Sequence, residues 1–140
     1  MAELDILVAR FDQFDKRMDE RFQALNTRLD DVNHRLDDFT SRLATVEARM
    51  HELASLLKER LARVPGARLM TPTTPELSAG VVVVRMSGAD HRRIYERLYS
   101  EYGIAGAATG GIRLCPHVYT TLEDVERAAA AVATLTSSTG

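Results

Sequence analysis

Cysteine is nearly absent from this chain. Cys115 stands alone, so no intrachain disulfide can brace the fold, which fits a reducing compartment. Long apolar runs are missing as well. A run such as Val81 to Val84 is only strand-length, against the ~20 residues a membrane helix needs. The first residues, Met1-Ala-Glu-Leu-Asp, are acidic and carry no apolar signal core, so a cleaved secretory signal is not expected. These absences point to a cytoplasmic protein. An excess of one charge is lacking too. The 18 Lys and Arg residues against 20 Asp and Glu leave a formal net charge of -2. That balance draws the chain toward neither nucleic acid nor a membrane, and neither is expected as a partner.

What the sequence does have is a sustained helical period. From Leu4 to Val64 apolar residues recur three and four apart. One set, taken as heptad position a, falls every seventh residue: Phe22, Leu29, Leu36, Leu43, Met50, Leu57 and Val64. The interleaved set at d is Met18, Leu25, Val32, Phe39, Val46 and Leu53. A 3-4 repeat held this long makes a narrow seam that another helix must bury, which is the sign of a left-handed coiled coil. At about 1.5 Å per residue the predicted rod is roughly 90 Å long. The expected coiled-coil core is Phe22, Leu25, Leu29, Val32, Leu36, Phe39, Leu43, Val46, Met50, Leu53 and Leu57. Ahead of it, Phe14, Met18 and Phe22 fall four apart twice, an inserted four that locally unwinds a supercoil.

The flanks of the seam say little about a partner's identity. Arginines 21, 28, 35, 42 and 49 occupy g, while e holds Asn26, Asn33, Thr40, Glu47 and Ala54. Only Glu47 can complete a parallel g-to-e ion pair, with Arg42 of a neighbour. An antiparallel pair would set arginine against arginine, so a parallel homo-oligomer is expected. Leu dominates a and Val recurs at d, a pattern that favours a trimer or tetramer over a dimer. Asp31 and Asp38 each precede an arginine by four, the favourable helical orientation. The arginine stripe alternates with Asp30, Asp31, Asp37 and Asp38, which would repel phosphate.

Pro65-Gly66 ends the helix and marks a boundary. The expected organisation is a coiled-coil oligomerisation helix over 1–64 and a small domain over 65–140. Ala67 to Thr71 and Val81 to Met86 read as strands. Asp90 caps a helix over 91–102, with Ile94, Leu98 and Tyr102 inward and Gly103 as its stop. Ile104 to Thr109, the Gly110-Gly111 turn and Ile112 to Cys115 read as a hairpin. Thr120 or Thr121 caps a last helix from Leu122 to about Leu135, with Glu123 and Asp124 in its first turn. The order β-β-α-β-β-α makes an α+β domain, a small antiparallel sheet with two helices on one face.

Four stretches of this second half form a recognisable pattern. They are Arg68-Leu-Met-Thr-Pro72, Pro75-Glu-Leu-Ser-Ala-Gly80, the His91 to Gly103 helix, and Gly111-Ile-Arg-Leu-Cys-Pro-His-Val-Tyr-Thr-Thr-Leu-Glu-Asp124. Over residues 56–135 the chain resembles the C-terminal small domain of class V aminotransferase-like proteins. These are fold-type I pyridoxal-phosphate enzymes that include cysteine desulfurases and isopenicillin N epimerase-like proteins. The resemblance implies that Arg113 grips a substrate carboxylate, for which a guanidinium fork is well shaped. The family often has Ser at the position of Cys115 and Asn at that of Thr120. The coiled coil has no counterpart in the resemblance.

The family's large domain, with its cofactor lysine, phosphate cup and pyridine-facing aspartate, has no counterpart either. The two lysines, Lys16 and Lys58, lie on the predicted rod, where an exposed amine has neither a pocket nor a lowered pKa. No catalytic residue, no metal and no cofactor are expected for the chain alone. His34, His51, His91, His117 and Cys115 show no metal-ligand spacing. The expected function is a non-catalytic coiled-coil oligomer displaying a small aminotransferase-like domain. The other reading is a remnant or split subunit of a pyridoxal-phosphate enzyme, in which a separately encoded large subunit brings the cofactor and this chain lends Arg113. A passenger domain in a fused or decayed gene product is a third.

Overall fold

The computed structural model describes residues 2–137. The chain is mixed helix and strand, with two compact units, Met1–Leu43 and Ala44–Gly140. A single helix, α1, runs Ala2–Ala62. The long period read from the sequence is therefore helical throughout, with Glu3 and Asp5 in the first turn and Arg60 in the last, charges that favour the helix dipole.

In the first unit the apolar stripe is open. Between Phe22 and Leu43 its large side chains are 48% (Val32) to 58% (Phe39) exposed. Asp38 and Arg42 form the expected i,i+4 pair at 3.9 Å, while Asp31 and Arg35 form none among the described residues.

In the second unit the same 3-4 period serves a different end. Leu53, Ala54, Leu57 and Leu61 are at most 2% exposed and belong to the unit's own core. The periodicity placed Leu53 and Leu57 in an intermolecular seam. The structure places them against the strands and helices of their own chain. Each such leucine contributes about 1.5–3 kcal/mol on burial.

The sheet has three strands, β1 (Ala67–Leu69), β2 (Val82–Met86) and β3 (Ile112–Leu114), in that order and antiparallel. The stretch 104–109 does not form the expected fourth strand. It makes one isolated bridge, Ala107 with Arg113, and beside it Gly106 lies close to the Arg113 carbonyl, where an added Cβ would stand 2.8 Å away. Gly111 is required for a similar reason: its Cβ would meet the Val84 carbonyl oxygen at 2.5 Å.

Side chains alternate across the sheet. Val82, Val84, Met86, Ile112 and Leu114 point inward and are buried. Against them pack the end of α1, α2 (His91–Tyr102) and α3 (Leu122–Ser137). Three helical segments thus cover the inner face rather than two. The outer face is open and carries Arg68, Arg85 and Arg113.

The helix ends follow the local rules. Asp90 accepts from the Arg92 and Arg93 amides at 3.0 and 3.2 Å, and Gly103 closes α2 in the left-handed region at φ 65°. Ile94 and Leu98 are buried, and Tyr102 packs on the core. Thr121 and Asp124 make a reciprocal box at the start of α3. Thr120 does not cap that helix; its hydroxyl accepts from the His117 amide at 2.9 Å. Arg60 ties α1 to α3 through both carboxylate oxygens of Glu126, at 2.7 and 2.9 Å. Among the described residues no helix is long and apolar enough to cross a membrane.

Candidate functional site

Arg113 sits at the centre of β3, opposite Val83. Its backbone is pinned by the Ala107 bridge, with N–H to O distances of 2.8 and 3.0 Å. The alternation of Ile112, Arg113 and Leu114 sends its flanking residues into the core and its own side chain outward, where it is exposed. Among the described residues none makes an ion pair with it.

The His-x-Tyr-Thr-Thr motif that follows is mostly a connector. His117 and Tyr119 stack at 5.2 Å between ring centroids, and both are exposed. Cys115 is exposed as well. A small cleft of about 150 Å³ lies between β3 and the start of α3, lined by Leu57, Leu114, Cys115, Thr120, Asp124 and Arg127 among others. Its polar groups are engaged. The Thr121 amide and hydroxyl donate to Asp124 Oδ2 at 3.0 and 2.8 Å, and Arg127 donates to Oδ1 at 2.7 Å. The bond from the Thr121 amide comes first in holding the Asp124 carboxyl below the usual aspartate range. The cleft is built as a joint, with its charges turned to its own walls.

Lys58 departs most from the sequence expectation. The heptad reading put it on an exposed helix surface. It is 3% exposed, and Nζ donates to the Ser78 hydroxyl at 2.6 Å. Burial pushes its pKa below the usual lysine range. Among the described residues it has no carboxylate partner. A signal was present in the sequence: Lys58 falls four residues after Ala54 and three before Leu61, on the face that turns inward. An imine with pyridoxal phosphate needs a free amine set in a pocket. The Lys58 amine is engaged by Ser78 and closed to an incoming aldehyde, and Lys16 is exposed in the first unit.

Along the first unit, Val32, Leu36 and Phe39 line a surface hollow of about 660 Å³ with Arg35, Asp38 and Arg42. It lies on one side of one helix and has no second wall, so a small molecule finds no enclosure there.

The second unit is thus a three-stranded antiparallel sheet backed by helices, with one arginine face open. No family model matches the chain. The chain is similar to isopenicillin N epimerase of Streptomyces clavuligerus, at 37% identity over 97 residues. The match takes in 65% of this chain and 24% of that protein, so the chain spans about a quarter of the relative's length. The similarity supports the class V aminotransferase-like resemblance at the level of family. A match of that size exceeds the 75 residues that follow Pro65. It therefore includes the last turns of α1, the turns whose leucines are built into the core.

Proposed function

We propose that the chain is a homo-oligomer assembled through the apolar face of α1, displaying a small aminotransferase-like unit that performs no catalysis on its own. One observation carries the reading. A continuous stripe of Phe, Leu and Val side chains from Phe22 to Leu43 lies about half exposed on one helix face. Each of those side chains, already about half covered, gains roughly 1 kcal/mol on full burial, and a parallel copy of the same helix offers a matching seam. The one-sided hollow at Val32, Leu36 and Phe39 suits such a helix as its missing wall.

The assembling segment in this reading ends near Val46 to Met50. Beyond it, Leu53 and Leu57 are committed to the internal core. The useful division of the chain then falls near residue 44 rather than at Pro65. Leucine at a and valine at d still favour three or four strands over two. Sedimentation of the full chain beside a Leu29→Asp, Leu36→Asp double variant tests the reading. The parent sediments as a trimer or tetramer and the variant as a monomer; equal sedimentation would refute it.

A second reading has its own support. Arg113 is exposed and free of a carboxylate partner, and the matched segment is about a quarter of a longer protein named as an epimerase. In that reading the chain is a remnant or split subunit. It docks on a separately encoded large subunit that brings pyridoxal phosphate and the cofactor lysine, and it lends Arg113 to a substrate carboxylate. Mixing the purified chain with pyridoxal phosphate separates the two. A cofactor absorbance band that forms only when a second chain is added supports the split subunit.

A further inference from the structure

The outer face of the sheet holds a like-charge pair that nothing in the fold requires. Arg68 on β1 and Arg85 on β2 are direct cross-strand partners. Side chains so placed have Cβ atoms about 4.5–5.5 Å apart, and like charges at that spacing destabilise a sheet. Among the described residues neither arginine is ion-paired. Arg85 is held to one side, with Nε and Nη2 donating to the Gly110 carbonyl at 3.2 and 3.0 Å. Its Nη1 edge is not used in that contact.

The pair borders a depression of about 440 Å³ that continues over Gly66 and the 86–89 turn to His91. Every polar side chain in the lining is a donor or can act as one, and no carboxylate is among them. His91 Nε2 accepts from the Met86 amide at 2.9 Å, so the proton of the neutral ring is on Nδ1 and can be donated. The Ser87 hydroxyl and the Gly88 amide have no intramolecular partner among the described residues. Asp90, the nearest acid in sequence, is turned to the amides of Arg92 and Arg93.

We propose that this depression binds a phosphate group, free or as a phosphomonoester. Two guanidinium groups relieve their mutual repulsion by sharing one dianion, and charge-assisted bonds of this kind are the strong ones. A flat carboxylate uses one fork. A tetrahedral group with three outward oxygens can meet the Arg68 fork and the free Nη1 edge of Arg85 together with the hydroxyl, amide and imidazole donors on the remaining sides. The site is separate from Arg113 and stands or falls independently of both functional readings above.

The test is a titration of the ¹⁵N-labelled full chain with inorganic phosphate, at ionic strength held constant with sodium chloride. The Gly88 amide and the His91 ring are the reporters. The expected result is a saturable shift at both positions, weakened about tenfold or more in Arg68→Gln and in Arg85→Gln. Both arginines are exposed, so the variants keep the parent's remaining amide spectrum. Glycerol phosphate tells the two sources apart: tighter binding than inorganic phosphate assigns an esterified ligand, weaker binding a free one. A shift that never saturates, that acetate reproduces at equal concentration, or that survives both substitutions would overturn the proposal.

Discussion

Lys58 donates a 2.6 Å hydrogen bond from Nζ to the Ser78 hydroxyl, joining the last turns of α1 to the turn that leads into β2. The lysine is 3% exposed, yet it answers to a neutral hydroxyl rather than a carboxylate. Its burial costs stability as long as the ammonium is charged.

The sign of the pH effect follows. Burial holds the Lys58 pKa below the ordinary 10.5, so the unfolded chain binds this proton more tightly than the folded one. Its contribution is unfavourable at neutral pH. Stability is recovered as pH rises from the lowered folded value toward 10.5. Lys58→Met, which keeps the volume and removes the charge, is expected to raise stability at pH 7 by about 1 kcal/mol or more. The gap between variant and parent in thermal melts then narrows at alkaline pH. A gap independent of pH would contradict this account.

Two leucines on the same helix are expected to behave oppositely. Leu57 is 2% exposed and Leu36 is 55% exposed. Leu57→Ala lowers the stability of the second unit by about 2–5 kcal/mol. Leu36→Ala leaves that unit unchanged and weakens association. Tyrosine fluorescence in urea separates the effects, because Tyr95, Tyr99, Tyr102 and Tyr119 all lie beyond residue 44.

The start of α3 depends on the box between Thr121 and Asp124. Thr121→Ala is expected to cost about 1 kcal/mol. The Asp124 carboxyl, held low chiefly by the Thr121 amide, contributes stability above its ordinary 3.8 and loses it as pH falls through the lowered folded value. Asp124→Asn removes that acid dependence. Urea midpoints measured from about pH 2 to about pH 6, across the carboxylate range, check both points.

Much of the second unit was legible in the sequence because its signals are local. Asp90 and Gly103 announce the ends of α2, and the valines before Met86 announce β2. The end of α1 was harder. A 3-4 period tells which face of a helix is apolar and not what covers it. Phe22 to Val46 and Leu53 to Leu61 share one spacing, while the first stretch is open and the second is buried at home. The same ambiguity hides the burial of Lys58. The stretch 104–109 has strand-like residues, but its first amide, that of Ile104, is used on the Leu98 carbonyl at the end of α2, and only Ala107 bridges to β3. The depression at Arg68, Arg85 and His91 depends on strand register and on a ring nitrogen reaching the Met86 amide. Neither is visible in composition or spacing.

Sedimentation equilibrium of the full chain tests the central claim most directly. The chain mass is 15.5 kDa. The account predicts a single species of three or four chain masses over a wide concentration range, falling to one chain mass when Leu29 and Leu36 are both replaced by Asp. A monomer of 15.5 kDa for the unaltered chain at all concentrations would contradict it.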